Sequence, residues 1–269
     1  WAPNGHQIAY TADDRASRIY ELYVANMQGT TVVDRQKVHP DLPATADVEL
    51  GLNKIGYSPN GRYLAFLADA LTDRLVELFF VDTQVAFPQP LTALSSTVAP
   101  GARGDDSFVW SPNSTELVYL ADRDTPNVNE LFLVSVTDPG TAVQVHTSIT
   151  TGSIGEVRWL IPGVLTYFVR DGAQRRLFAA VTTDPANIDI FEIVSNLAAE
   201  ESVEELEFSG TDFLVRVDNE AAQTSRFLFG SVVFGSGGGL REAATSQIRA
   251  PFCTDGAGSW AAATSGSSR

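Results

Sequence analysis

The sequence is poor in the residues that build disulfides and metal centres. Its 269 residues include one cysteine, Cys253, which excludes an intrachain disulfide and any multi-cysteine zinc or iron–sulfur site. The three histidines, His6, His39 and His146, form no His-x-His or His-x-x-x-His pair. A calcium loop of the Asp-x-Asp-x-Asp-Gly type is also missing, since residues 122–124 supply two alternating acids without the glycine or the closing glutamate. We therefore expect no metal ion and no cofactor.

Positive charge and long apolar runs are scarce as well. The chain has 18 Lys and Arg against 33 Asp and Glu, which gives a formal net charge of −15 at pH 7. A field of this sign repels phosphate backbones, so we predict that nucleic acid is not a partner. No apolar run approaches the roughly 18 residues of a membrane-spanning helix, and the longest, residues 227–234, has the length of a strand. We predict a chain without a membrane span.

The arrangements that mark a catalytic site are not recognisable in the sequence. No serine has a glycine two residues before it and another two residues after it, so the nucleophile elbow of an α/β-hydrolase is absent. No nucleophile is recognisably paired with a base, and no paired carboxylates stand in unusual surroundings. We predict that the sequence is not an enzyme by itself.

What the sequence does contain is an internal repeat. Residues 1–5, 57–61 and 110–114 share one phrase, an aromatic residue and a small residue followed by Pro-Asn-Gly or a close variant. Weaker copies begin at Trp159, Phe208 and Phe252, so successive copies are 44 to 56 residues apart. A repeat of this length is typical of architectures in which each unit buries its apolar faces against its neighbours.

Each copy continues with alternating apolar segments bounded by turn residues, which predicts antiparallel strands joined as hairpins. The first strand ends at the anchor aromatic, as in residues 108–110 and 156–159. The second strand is predicted at residues 7–11, 63–67, 116–120 and 164–169, and the third at 21–24, 77–81, 130–134, 176–178 and 226–228. A short, more polar fourth strand is predicted at residues 31–33, 142–146 and 188–194.

These phrases resemble the TolB-like propeller repeats, and they are also similar to the propeller domains of prolyl-oligopeptidase-like enzymes. The resemblance is good over residues 1–135 and rests on strand pattern alone over residues 159–234. It implies an all-β fold, a β-propeller of four-stranded antiparallel blades, in which residues 1–269 form one domain or a segment of one. About six blades are expected, anchored near residues 1, 57, 110, 159, 208 and 252, with the first lacking its inner strand and the sixth its outer two strands. We expect the segment to come from a longer protein of six to eight blades.

An aspartate recurs in register after the second strand of each copy. The five are Asp13, Asp69, Asp122, Asp171 and Asp218. Strand order places them on one side of the propeller together with the longest connections, where a ring of carboxylates could attract a cation or a basic partner surface. The alternative is that each aspartate hydrogen-bonds its own turn.

Two further sets recur with the repeat. The anchor aromatics Trp1, Tyr57, Trp110, Trp159 and Phe208 could stack on a ligand, but their constant place at a strand end favours packing between blades. Glutamates stand 20 residues after the first three anchors, at 21, 77 and 130, and are better explained as structural partners than as ligands.

Three functions are compatible with these residues. The first is a non-enzymatic scaffold that docks a protein partner within a larger complex; the TolB resemblance implies a bacterial envelope protein, periplasmic or at the cell surface. The second is the gating propeller of a larger prolyl-oligopeptidase-like serine hydrolase whose catalytic domain lies outside this sequence. The third is a structural subunit of a multi-protein assembly. The identity of the partner is open in all three.

Overall fold

The fold was obtained as a computed structural model, and it is all-β. The structure describes residues 1–16, 19–51, 53–72, 74–95, 105–147, 149, 152–172, 174–194, 197–209, 212–234, 240–242 and 246–251. Within these residues every regular element is a strand, the strands form five small antiparallel sheets, and no sheet closes into a barrel.

The sheets follow one another along the chain. Sheet 1 consists of β1 (Gln7–Ala16), β2 (Ile19–Gln28) and β3 (Thr31–Lys37). Sheet 2 consists of β4 (Ile55–Tyr57), β5 (Tyr63–Thr72), β6 (Leu75–Asp82) and β7 (Thr92–Ala93). Sheet 3 consists of β8 (Asp105–Trp110), β9 (Glu116–Ala121), β10 (Glu130–Ser135) and β11 (Asp138–Gln144). Sheet 4 consists of β12 (Ser153–Ile161), β13 (Val164–Asp171), β14 (Gln174–Val181) and β15 (Asp189–Glu192).

Sheet 5 differs from the others at its outer edge. It consists of β16 (Glu201–Ser209), β17 (Asp212–Asn219), β18 (Thr224–Phe234), β19 (Leu240–Glu242) and β20 (Ser246–Pro251). The long strand β18 pairs with β20 along its first half and with β19 along its last three residues.

The predicted strand positions agree with the sheets over most of the chain. The predicted second, third and fourth strands fall in or largely within observed strands, and sheet 1 has no strand ahead of β1, as expected. A sixth repeat is expected to begin with the strand that precedes Phe252. That strand is β20, which pairs with the first half of β18 in sheet 5. Phe252, Cys253 and the rest of the sixth copy lie outside the described residues.

The apolar side chains are buried between successive sheets and not in one central core. Alternate residues of a strand point to opposite faces of its sheet, so a sheet with a neighbour on each face needs apolar residues at every position. In β5, Leu64 and Phe66 pack towards sheet 1, whereas Ala65 and Leu67 pack towards sheet 3. Two further apolar clusters join sheet 3 to sheet 4 and sheet 4 to sheet 5. We call each of these contacts a seam.

The repeated turn phrase owes its shape to its own side chains. Ser58 Oγ accepts the N–H of Tyr63 at 3.0 Å, and Asn60 Oδ1 accepts the N–H of Arg62 at 2.9 Å. Gly61 follows with φ 74°, a left-handed conformation that glycine adopts without steric cost. The third copy keeps the same bonds but places Ser114 in that conformation, with φ 65°.

Candidate functional site

The five predicted aspartates lie near the hairpins that join the second and third strands of the five sheets. Asp13, Asp69, Asp171 and Asp218 are in the last part of β1, β5, β13 and β17, and Asp122 directly follows β9. The strand order therefore places the five aspartates at the same side of the successive sheets. Their side chains, however, have different surroundings.

Asp69 links its hairpin to the connection between sheets 1 and 2. Its Oδ1 accepts the N–H of Asp47 at 2.5 Å, and its Oδ2 accepts the N–H of Arg74 at 3.3 Å. Asp47 in turn accepts the N–H of Tyr20 with its own Oδ1 at 2.5 Å. The carboxylate of Asp69 is thus used by backbone donors of its own turn and of the adjacent connection.

Asp122 and Glu130 hold the loop between β9 and β10. Asp122 is buried and accepts the N–H of Asn127 at 3.2 Å. Glu130, also buried, accepts the N–H groups of Asp124 and Thr125 at 2.8 and 3.0 Å. The bonds satisfy backbone donors that the loop would otherwise leave unpaired.

The remaining three aspartates do not complete a common site. Asp218 is buried, and its Oδ1 lies 3.5 Å from Nε of Arg216, whereas Asp13 and Asp171 are exposed. Over the part of the chain that the structure describes, no three His, Cys, Asp or Glu side chains come close enough together to hold a metal ion. The same part of the chain contains no helix that is long and apolar enough to cross a membrane.

The repeated glutamates have individual partners in the structure. Glu21 is buried and accepts bonds from Tyr23 Oη and Lys37 Nζ, both at 3.2 Å. Glu77 is half-buried, and burial raises the pKa of its carboxyl group above the ordinary value. Glu21 and Glu130 are therefore internal hydrogen-bond acceptors and not ligands facing solvent.

Two buried histidines, His39 and His146, follow the outer strands β3 and β11 of sheets 1 and 3. His39 is fully buried, and its Nε2 accepts the N–H of Leu22 at 3.0 Å while Nδ1 lies 2.7 Å from the carbonyl oxygen of Pro40. These contacts require a neutral ring that carries its proton on Nδ1. Burial is the main reason why the pKa of His39 is below its ordinary value, and the same holds for His146. Sheet 2 uses Ser95 at the corresponding place, whose Oγ accepts the N–H of Leu78 at 3.1 Å.

The anchor tryptophans connect neighbouring sheets. Trp110 Nε1 donates to the carbonyl oxygen of Gly56 at 3.0 Å, and Trp159 Nε1 donates to the carbonyl oxygen of Val109 at 3.3 Å. Each acceptor belongs to the first strand of the preceding sheet, one residue before its own anchor. The prediction of packing between blades is confirmed for both. It does not hold for Trp1 in this structure, whose side chain is 67% exposed.

Sequence reasoning missed a cavity of about 350 Å³ at the seam between sheets 4 and 5. It is lined by charged residues of the first strands β12 and β16, among them Arg158 and Glu207. The sequence does carry a sign of this cavity. Arg158 and Glu207 each lie one residue before an anchor, and the second and third copies have Gly56 and Val109 at the same position.

Comparisons with known proteins support the fold. The sequence matches no family model and no curated protein. Solved structures do match, among them an oligogalacturonate lyase in complex with manganese, at a TM-score of 0.54 and 12% identity, over 91% of this chain and 64% of that one.

Two peptidases match to a similar degree. Oligopeptidase B from Trypanosoma brucei has a TM-score of 0.55 and 13% identity over 91% of this chain and 33% of its own. Dipeptidyl peptidase 4 from Porphyromonas gingivalis has a TM-score of 0.56 and 13% identity over 89% of this chain and 42% of its own. The chain therefore spans between a third and two thirds of the length of these proteins. The matched parts are propeller domains, so the chain has a β-propeller fold.

Proposed function

We propose that this chain is the propeller of a larger prolyl-oligopeptidase-like hydrolase and governs which peptides reach a catalytic domain elsewhere in that protein. The observation that carries the proposal is the pattern of coverage. Nearly the whole chain aligns with the peptidases, whereas it accounts for only 33% and 42% of the two peptidase chains named above. The proposal assigns this chain the part of such a protein that binds and selects, and places the chemistry outside residues 1–269.

The test is to express the complete coding sequence around this segment and treat the protein with a fluorophosphonate probe for activated serines. We expect one labelled serine beyond Arg269, within a Gly-x-Ser-x-Gly sequence, and cleavage of fluorogenic peptides that the probe abolishes. A stop codon soon after Arg269, or a full-length protein without a labelled serine, would reject the proposal.

A second candidate is a scaffold of the TolB-like kind that docks a protein partner in the bacterial envelope. It is favoured by the side of the molecule that carries the second-to-third hairpins. There Leu50 and Leu71 are 48% and 61% exposed, and Asp13 and Asp171 are exposed as well. Apolar side chains among carboxylates suit a partner surface that is apolar at its centre and basic at its rim.

The scaffold is tested by crosslinking the full-length protein in envelope extracts and comparing it with a Leu50→Asp/Leu71→Asp variant. We expect a defined partner for the wild-type protein and its loss in the variant, because both leucines are exposed and their replacement leaves the folded core intact. Equal capture by both proteins would exclude this surface as the docking site.

A further inference from the structure

The cavity between sheets 4 and 5 lies where one element of the repeat is changed. At the two preceding seams an anchor tryptophan donates its indole N–H to the first strand of the preceding sheet. The anchor of sheet 5 is Phe208, which has no N–H to donate, and its ring packs against Phe213 of its own sheet, with the centroids 6.1 Å apart. The carbonyl oxygen of Arg158, equivalent to those of Gly56 and Val109, therefore receives no indole bond. The seam is open at this point.

Part of the cavity lining is apolar, and we call this part the floor. It is formed by Phe168 of sheet 4 and by Leu206, Leu214 and Phe227 of sheet 5. A volume of about 350 Å³ is at the lower end of the range of small-molecule sites in proteins. The floor suits one aromatic or large aliphatic side chain.

Most of the charges around the cavity are already paired. Glu156 contacts Arg175, whose guanidinium also lies 3.7 Å from the centroid of Phe168. Glu205 lies 3.8 Å from Arg216. Glu156 has φ 51° at a bulge of β12, which is a strained conformation for a residue other than glycine.

Arg158 and Glu207 are different. Both side chains are exposed and line the cavity, and among the described residues neither side chain makes a hydrogen bond or an ion pair. They occupy equivalent positions on the neighbouring first strands β12 and β16, one residue before the respective anchors. A cation and an anion whose side chains have no partner among the described residues thus line one cavity, the cation from sheet 4 and the anion from sheet 5.

We propose that this cavity binds a ligand that combines an apolar side chain with an ammonium and a carboxylate group, that is, an apolar amino acid or a short apolar peptide. The side chain occupies the floor, the carboxylate pairs with Arg158, and the ammonium group pairs with Glu207. Charge-assisted hydrogen bonds of this kind are about twice as strong as neutral ones. The site is independent of whether the propeller belongs to a hydrolase or to a scaffold.

The test is calorimetric titration of the full-length protein with L-phenylalanine and with the tripeptide Ala-Phe-Ala. Binding of either probe supports the proposal, and the tighter one identifies a free amino acid or a peptide as the ligand. We expect Arg158→Gln to weaken binding of L-phenylalanine about tenfold but to change the affinity for L-phenylalanine amide, which has no carboxylate, by less than about twofold. Glu207→Gln should weaken L-phenylalanine similarly and leave N-acetyl-L-phenylalanine unaffected.

Matched controls are available on the same sheets. Arg170→Gln and Glu200→Gln remove exposed charges outside the cavity lining and should leave every affinity within about twofold of wild type. Leu214→Trp fills the floor and should abolish binding of both probes, with thermal unfolding confirming that it folds. Failure of both probes to bind, or equal affinities for wild type, Arg158→Gln and Glu207→Gln, would overturn the proposal.

Discussion

The seam between sheets 3 and 4 and the seam between sheets 4 and 5 are built from the same repeat and differ in the anchor side chain. Trp159 bonds across the first seam, with its indole N–H on the carbonyl oxygen of Val109. Phe208, at the same position of the next copy, has no N–H to donate and packs against Phe213 of its own sheet, and the cavity lies at this second seam. A change of the anchor side chain thus alters the contact between two copies of the repeat while the strand pattern is unchanged.

The largest effect should come from removing a buried anchor altogether. Trp110 is 9% exposed and stacks on Tyr63 of sheet 2, with ring centroids 6.1 Å apart. We expect Trp110→Ala to lower the free energy of unfolding by about 3–5 kcal/mol, measured by urea denaturation. The control is Trp1→Ala, whose exposed side chain should contribute less than about 0.5 kcal/mol. If Trp110→Ala and Trp1→Ala lowered the free energy of unfolding by similar amounts, the interpretation that Trp110 packs between sheets and stabilises them would be wrong.

A smaller change isolates the indole hydrogen bond. Trp159→Phe keeps an aromatic ring but leaves the carbonyl oxygen of Val109 without its donor. We expect the free energy of unfolding to decrease by about 1–2 kcal/mol in the same assay. If Trp159→Phe were as stable as wild type, the tryptophan would act by packing alone.

The reverse substitution tests the other seam. Phe208→Trp supplies the missing N–H next to the carbonyl oxygen of Arg158, so the free energy of unfolding should rise by up to about 1 kcal/mol. The same indole would cover the cavity, and calorimetry should show weaker binding of L-phenylalanine than in wild type. If Phe208→Trp raised the stability but left the affinity for L-phenylalanine unchanged, the hydrogen bond at the seam would be independent of binding in the cavity.

The seam between sheets 1 and 2 should respond to pH. His39 packs against Phe66 of sheet 2, and burial lowers its pKa from the ordinary value of 6.5. Because the unfolded chain binds the proton more readily, the contribution of His39 to stability is complete above pH 6.5 and is lost as the pH falls from there through the lower pKa of the folded state. Urea midpoints between pH 7 and 5 should therefore fall less steeply for His39→Gln than for wild type. His6→Gln, at an exposed position, should keep the wild-type slope.

The smallest effect is expected at the turn between β8 and β9 of sheet 3, which contacts the equivalent turn of sheet 2. Ser114 has φ 65°, where the first two copies have glycine, and its Oγ accepts the N–H of Asn60 at 3.0 Å. Ser114→Gly relieves the backbone strain but loses the bond, so its stability should remain within about 1 kcal/mol of wild type. Ser114→Ala loses the bond and keeps the strain, and should be about 1 kcal/mol less stable than Ser114→Gly. The reverse order would mean that the conformation is not strained.

The parts of the fold that depend on local chemistry were predictable. The phrase around residues 57–61 encodes its turn through serine, asparagine and glycine, and the alternating segments after it encode the second and third strands. The pairing of β20 was not predictable in this way, because the pattern before Phe252 specifies a strand but not the strand that it pairs with. The cavity depends on how two copies meet, and only a comparison of Trp159 with Phe208 across the register points to it.

The four apolar clusters each join two sheets that are consecutive in the chain. The cooperativity of unfolding is then that of a one-dimensional array, in which each unit is coupled to its nearest neighbours only. Amide hydrogen exchange in sheet 3 should accordingly respond more to substitutions in sheets 2 and 4 than to substitutions in sheets 1 and 5. A ligand bound between sheets 4 and 5 would stabilise that seam and slow amide hydrogen exchange in these two sheets, without stabilising sheet 1.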